Sequence, residues 1–411
     1  MVMTALQRCR YFGVDNIQGM AYHPGPSNYS KSVAPDTLYA WSDFYNNMFT
    51  QLWSTEPNEN GVQGRGDLLR FKEQLGINFI HGYDWSQPIV QKDAHGNEVK
   101  LLVHEPFLKA CNGLGMKMTI PISNYTLQLL AGGNRPIAEE NVRAILKEVG
   151  SDPHPAVGMI KVFNEYELSY GGNPKYVVDV LEMIADFDAY TPVDECHLPI
   201  MVCTSFGMKD GIEGAGYMRD VYDEMMRRGN IGPTNAAAFW RNRMVFATNP
   251  QNPGSDIKQY LENRLPIYWK KNRIPSPPVM FTELGSSIKQ TGSEENQAKW
   301  MSEQIAASKP GSSEGNMLGA CVFLNEERPW EDDAEETFGV MRFGPDTGWG
   351  RPSTNGKATT KYPMWDNRGW WWGKPAEYPV EQQAPKLNYS SVAKAWKRTA
   401  DAPDGTMEDA D

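Results

Sequence analysis

No stretch of this sequence approaches the run of about 18 consecutive apolar residues that a membrane-crossing helix needs. The N-terminus, MVMTALQRCRYFGVDN, carries charges but lacks the apolar core of a secretory signal. The expected setting is therefore the cytoplasm, or a mature form of a secreted protein. Basic residues are outnumbered, 40 against 51 acidic, giving a formal charge of −11, which excludes the positive footprint of a nucleic-acid or anionic-membrane binder. Cysteine is scarce and odd in number: Cys9, Cys111, Cys196, Cys203 and Cys321 are scattered, so neither a disulfide framework nor a zinc site is expected. There is no P-loop, no H-E-x-x-H and no Cys or His pair at metal spacing, so no cofactor and no metal are expected. Three sequons, at Asn28, Asn124 and Asn388, permit glycosylation in a secretory context and decide nothing.

What is present is a large aromatic complement, 13 Trp and 18 Tyr, beyond what a core requires; flat amphipathic rings suit sites for sugars and other ring-shaped ligands. Also present are eight short apolar runs, at 17–22, 77–83, 116–122, 157–163, 199–204, 244–248, 278–282 and 318–324. Amphipathic stretches such as AEENVRAILKEVG and KYVVDVLEMIADF follow them, several with apolar positions at i, i+3, i+4 and i+7 and a glycine where the helix should stop. Runs apolar almost throughout fit parallel strands buried on both faces. Eight strand-then-helix units predict an α/β fold, a (β/α)8 TIM barrel. The rival doubly wound sheet usually has a glycine-rich first turn, whereas the first turn here is HPGPSNYS. The barrel is assigned to residues 1–343. A Trp-, Gly- and Pro-rich extension with Trp349, Trp365, Trp370, Trp371 and Trp372, packed on the barrel and ending in a closing helix, is assigned to 344–398. An acidic tail follows over 399–411.

In such a barrel the active groups stand at the C-terminal ends of strands. Strand four ends Asn164-Glu165 and strand seven ends Thr282-Glu283. Two carboxyls facing each other across the mouth meet the requirement of glycoside cleavage, one protonated for the leaving oxygen and one ionised for the anomeric carbon. Each glutamate taken singly is equally well a solvated loop carboxylate. Other strand ends offer Tyr22 and His23, then Tyr83, Asp84 and Trp85, then Asn124 and Tyr125, and Trp330; for each, core packing and substrate contact are both open. His81 reads as an interior or supporting histidine. The strand-seven loop Gly285-Ser286-Ser287 suits a phosphate, but the acidic run from Glu326 to Asp333 would repel one.

These residues resemble those of the retaining glycoside hydrolases of clan A, the 4/7 superfamily, in which Asn-Glu closes strand four and Glu closes strand seven; Asn164-Glu165 and Glu283 match those positions. Within the clan, Gln18 to Gly25, Phe281 to Gly285, Gly319 to Glu327 and Phe338-Gly339-Val340 are similar to the fungal-type β-1,3-glucanosyltransferases of glycoside hydrolase family 72, with the β-1,3-glucan-active family 17 as the other near group. The resemblance implies a retaining double displacement with Glu165 as acid/base, Glu283 as nucleophile and Asn164 binding the sugar 2-hydroxyl. It also implies a polysaccharide or oligosaccharide partner, β-1,3-glucan first, with β-mannan or β-1,4-glucan next and a non-catalytic glycan-binding barrel as the alternative. Many clan members bring a tyrosine from strand six to the nucleophile. This chain has Asn249-Pro250 there, so Asn249 or a residue of another loop is expected to orient Glu283.

Overall fold

The computed structural model describes residues 2–24, 43–57, 61, 63–93, 95–150, 153–190, 197–328, 334–343, 359–362, 376–379 and 383–400. Eight parallel strands close into a barrel in which each strand neighbours the next in sequence and the last pairs with the first. They are β1 (Ile17–Ala21), β2 (Phe79–His81), β3 (Lys117–Ile122), β4 (Val157–Val162), β5 (Ile200–Ser205), β6 (Met244–Asn249), β7 (Val279–Leu284) and β8 (Met317–Val322). All eight fall on the eight apolar runs read from the sequence. Closure between β1 and β8 pairs Ile17 with Gly319 and Gly19 with Cys321. Glycine is required at 19, because a Cβ there would lie 2.3 Å from the Cys321 sulfur.

The strands bury both faces, as near-continuous apolar runs must. Inward residues Ile17, Phe79, Met159, Met201, Val245, Ala247 and Met280 form an inner cluster with Cys9 and Val14. Cys9 lies on α1 (Ala5–Tyr11), which plugs the N-terminal end of the barrel. There the Arg8 guanidinium donates to the carbonyls of His197 and Asn242, pinning the plug to two other units.

The outer ring includes α2 (Glu105–Gly113), α3 (Arg135–Val149), α4 (Pro174–Asp188), α5 (Ala215–Arg228), α6 (Leu265–Asn272) and α7 (Glu294–Ala307). In α3 the buried positions Ala138, Val142, Ile145, Leu146 and Val149 follow helical spacing. Asn173 caps α4 by accepting from the Lys175 amide, with Pro174 at the first helical position where no amide hydrogen is needed. One turn of π-helix, Tyr260–Arg264, precedes α6, whose Pro266 cannot donate to the preceding turn.

The last helix, α8 (Leu387–Ala400), packs against α7 and against the turn Phe71–Leu75 that follows β1. It thus fills the eighth place of the ring, and residues 344–386 lie between β8 and its helix in chain order. Within that stretch Gln383–Pro385 pairs with Met341–Phe343, and Thr359–Tyr362 with Ala376–Pro379. The tryptophans of the proposed extension, residues 401–411 of the acidic tail and Cys196 lie outside the described residues. Among the described residues no helix is long and apolar enough to cross a membrane.

Candidate active site

The C-terminal end of β4 turns abruptly. Phe163 and Glu165 both have left-handed backbones, φ 61° and 47°, on either side of Asn164. Such conformations cost about 1–3 kcal/mol each and persist where surrounding contacts fix them. Here the fixing contact is Asn124, at the end of β3. Its side-chain oxygen accepts from the Asn164 amide (2.9 Å) and its side-chain nitrogen donates to the Asn164 carbonyl (2.8 Å). Asn124 thereby replaces a strand neighbour where the ladder ends. Downstream, the Glu167 carboxylate accepts from the Ser205 amide (2.5 Å) and ties the same loop to the end of β5.

With the turn so held, Asn164 Nδ2 donates to Glu283 Oε1 at 3.3 Å, joining the ends of β4 and β7. Glu283 is the penultimate residue of β7 and only 7% exposed. Burial raises its pKa, while Lys161 and Arg328 oppose the rise and the Tyr83 hydroxyl also favours the ionised form. That hydroxyl lies close enough to perturb the carboxyl but lacks a well-aligned hydrogen bond to it. Glu165 sits in a different field. Burial and the charge of Glu283 push its pKa up to about 8, with Glu167 and Glu335 adding to the rise and the Asn249 amide opposing it. The half-buried Glu165 feels the charge of the buried Glu283, so ionisation of one disfavours ionisation of the other. Lys161 and Arg328 favour the ionised form of Glu283.

Asn249 or a residue of another loop was expected to orient Glu283, and the structure turns Asn249 to Glu165 instead. Its Nδ2 donates to Glu165 Oε1 (2.9 Å) and its Oδ1 accepts from Thr282 Oγ1 (2.5 Å). The reason is position: Asn249 ends β6 and its oxygen is claimed by Thr282, the residue immediately before Glu283 on β7. The side chain therefore turns its donor toward β4. A tyrosine does approach Glu283, but from the end of β2 rather than from strand six.

The other expected groups divide. His23 is buried, its amide donates to Asn325 Oδ1 (2.8 Å), and its ring meets the rings of Phe44 and Tyr83 edge-on, which places it beside the site. Burial and Arg328 hold its pKa well below the usual imidazole range. Asp84 is buried next to these groups, and burial together with Asp43 raises its pKa well above the usual carboxyl range.

Tyr22, in contrast, is a core residue. Its hydroxyl donates to Asp67 (3.0 Å) within a buried network in which Arg65 and Arg70 bind Asp67, and Arg65 also approaches Glu326 (3.4 Å). Trp85 is likewise sequestered: it stacks on His104 with centroids 3.8 Å apart and donates to Glu148. Tyr125 is half-buried and packs against the outer core. Trp330 lies outside the described residues. Two residues of the acidic run are engaged, Glu326 with Arg65 and Glu327 with Lys386 (2.9 Å), so part of its charge is internally neutralised.

The sequence reading passed over Lys161 and Arg328. Lys161 has a signal, a lone charge within an apolar strand run at the same inward parity as Met159. Arg328, 9% exposed and with its guanidinium 5.1 Å from the Phe323 ring, sits in an acidic loop segment with nothing to single it out. Among the described residues no group of three His, Cys, Asp or Glu side chains is placed to hold a metal ion.

Neither a protein-family model nor a curated protein matches this sequence. Solved structures do match. The GH5-4 broad-specificity endoglucanase from Clostridium longisporum is similar with a TM-score of 0.50 at 12% identity, over 97% of this chain and 99% of that one. Saccharomyces cerevisiae Gas2p, in complex with laminaritetraose and laminaripentaose, gives 0.42 at 13% identity, over 93% of this chain and 63% of that one. Bacteroides uniformis β-glucuronidase 2 gives 0.45 at 14% identity over 86% of this chain; this chain spans 37% of that protein. At such identities the likeness is one of architecture, and with the closed eight-strand sheet and its ring of helices it makes this chain a (β/α)8 TIM barrel.

Proposed function

We propose that the protein is a retaining β-glycosidase or transglycosylase of the clan A type, with Glu165 as acid/base and Glu283 as nucleophile. One observation supports this reading: Glu165 and Glu283 stand at the ends of β4 and β7, joined through Asn164, with burial and the Glu283 charge favouring the proton on Glu165 and Lys161 and Arg328 favouring charge on Glu283. Opposite protonation of neighbouring carboxyls is what double displacement requires. Glu283 attacks the anomeric carbon while Glu165 gives its proton to the leaving oxygen. The pair then reverses roles, Glu165 taking a proton from water, or from an acceptor sugar hydroxyl, which attacks the glycosyl ester. Asn164, already directed at Glu283, is placed to bond the sugar 2-hydroxyl, an interaction that strengthens as positive charge develops on the ring.

The substrate proposed is a β-1,3-glucan, on the strength of the sequence segments around β1, β7 and β8 that resemble family 72. A panel of β-1,3-glucans, β-1,4-glucans and β-mannans, assayed with Glu165→Gln and Glu283→Gln, tests both levels. We expect cleavage of the β-1,3-glucan and a loss of at least about 10³-fold in kcat for either variant. Full activity in either variant overturns the assignment, and preference for mannan or β-1,4-glucan overturns the substrate alone. For the acid/base role, azide should restore turnover of an activated aryl glycoside by Glu165→Ala and yield a β-glycosyl azide.

A further inference from the structure

Every residue of β4 is buried, and one of them is charged. Lys161 is fully enclosed inside the barrel, beneath the mouth. Its partners among the described residues are neutral: Nζ lies 3.2 Å from His81 Nε2, 3.5 Å from Asn164 Oδ1 and 4.8 Å over the Tyr83 ring. His81 is held neutral by burial and by the neighbouring ammonium, so it accepts from Lys161. An ammonium without a counter-charge in a dry interior costs several kcal/mol. The carboxyls that feel Lys161 are Glu283 and Asp84. Burial and Asp43 raise the pKa of Asp84 and favour its neutral form, which makes Glu283 the better balancing anion. The Asn164 amide connects the two, its oxygen toward Lys161 and its nitrogen on Glu283 Oε1. With an ammonium on one side and a carboxylate on the other, only this orientation of the amide satisfies both neighbours.

We propose that Lys161 is a positioning residue of the site, the buried counter-charge of Glu283, and that through the Asn164 amide it fixes the donor face presented to nucleophile and substrate. The role in catalysis rests on Glu283 being the nucleophile; the charge pairing does not. The other groups acting on Glu283 are Tyr83 after β2, Glu165 on the β4 turn, Cys203 on β5, Cys321 on β8, and Arg328 and Glu335 beyond β8, while His81 and Asp84 at the end of β2 act on Lys161. Arg328 is the second cation, but it shares its charge with Glu335 at 3.4 Å, whereas among the described residues no carboxylate bonds Lys161 directly. Removing Lys161 therefore leaves Glu283 only partly compensated.

The test is direct titration of the full chain, without substrate, by NMR of 13C-labelled glutamate and lysine. The Glu283 carboxyl signal is assigned by its loss in Glu283→Gln. In Lys161→Met its midpoint should rise by about one pH unit or more relative to the unsubstituted protein. Coupling of two sites is reciprocal, so the Lys161 Cε midpoint should fall by a similar amount in Glu283→Gln, an arm that stands even if Lys161→Met does not fold. Midpoints unmoved in the arm that can be read overturn the proposal. Shifted midpoints in a protein that cleaves no glycoside uphold the pairing and remove the nucleophile role. Glycosidase activity that depends on Glu283, with unmoved midpoints, removes Lys161 and leaves the proposed function standing. Where activity is present, the acid limb of kcat/KM in Lys161→Met should move upward with the Glu283 midpoint.

Discussion

Glu165, half-buried, and Glu283, buried, differ also by their neighbours, and the neighbours can be changed one at a time. The Asn249 donor favours the ionised form of Glu165. In Asn249→Ala the Glu165 midpoint should climb above its present value of about 8, moving the basic limb of the kcat profile to higher pH. A hydrogen bond to a charged group is worth about 1.5–3 kcal/mol, so the limb should move by about one pH unit or more, with kcat falling about tenfold as Glu165 loses its anchor. Tyr83→Phe acts on the other carboxyl. It removes a group that favours ionised Glu283, so the acid limb should move upward while the basic limb stays in place. A pH–rate series on the two variants checks both directions. The glutamates, Asn164 and the presence of Tyr83, His23 and Asp84 near the mouth were legible, since each follows an apolar strand run. The roles of Asn124 and Asn249 were not: which asparagine embraces a backbone and which bonds a carboxyl depends on side-chain direction across two strands, and no spacing encodes that.

Among the elements, the segment after β2 shows most clearly how burial redirects a residue that reads as a binding group. Trp85 was legible as an aromatic at a strand end. In the structure it covers a buried ion triad, in which His104 Nδ1 meets Glu148 (2.8 Å) and Nε2 meets Asp43 (3.1 Å). Those carboxylates raise His104 to about 9, despite burial, and His104 lowers Asp43. The sign follows. His104, raised above its usual 6.5, contributes stability that is complete below that value and is lost as pH rises through about 9. Asp43, depressed below its usual 3.8, contributes stability present above that value and lost as pH falls through its folded midpoint. His104→Gln leaves Asp43 buried without its cation and should cost about 3 kcal/mol near pH 6. Thermal melts from pH 5 to 10 should show a lower Tm in the variant and a smaller decline between about pH 7 and 9.5 than in the unsubstituted protein. The strands themselves were readable to within two residues at each end, because parallel strands covered on both faces leave uninterrupted apolar runs. The His104 triad was not, its three members being 43, 104 and 148 in sequence.

For the whole molecule, the sequence placed the barrel and announced a closing helix near 390–398, but assigned that helix to an extension and not to the ring it completes. A helix's partners across the ring are long-range contacts, and the spacing within α8 announces only that one face is apolar. That face, with Tyr389, Val392 and Trp396 buried, closes the gap between α7 and the turn after β1. The Tyr389 hydroxyl donates to Gln74 at 2.8 Å, bridging the two ends of the chain. Trp396→Ala should therefore destabilise the entire barrel by about 3–5 kcal/mol in one cooperative transition, measurable by denaturant titration, with no separate early melt of a C-terminal unit. The negative charge also changes meaning at this scale. Part of it is neutralised inside, by Arg65 and Lys386, and part stands around a mouth whose proposed chemistry needs one carboxyl kept protonated. The account's central claim, double displacement through Glu283 and Glu165, is tested most directly by following the digestion of a β-1,3-gluco-oligosaccharide by 1H NMR. The account predicts that the β-anomer of the new reducing end appears first and the α-anomer only later, by mutarotation. First release of the α-anomer would contradict it.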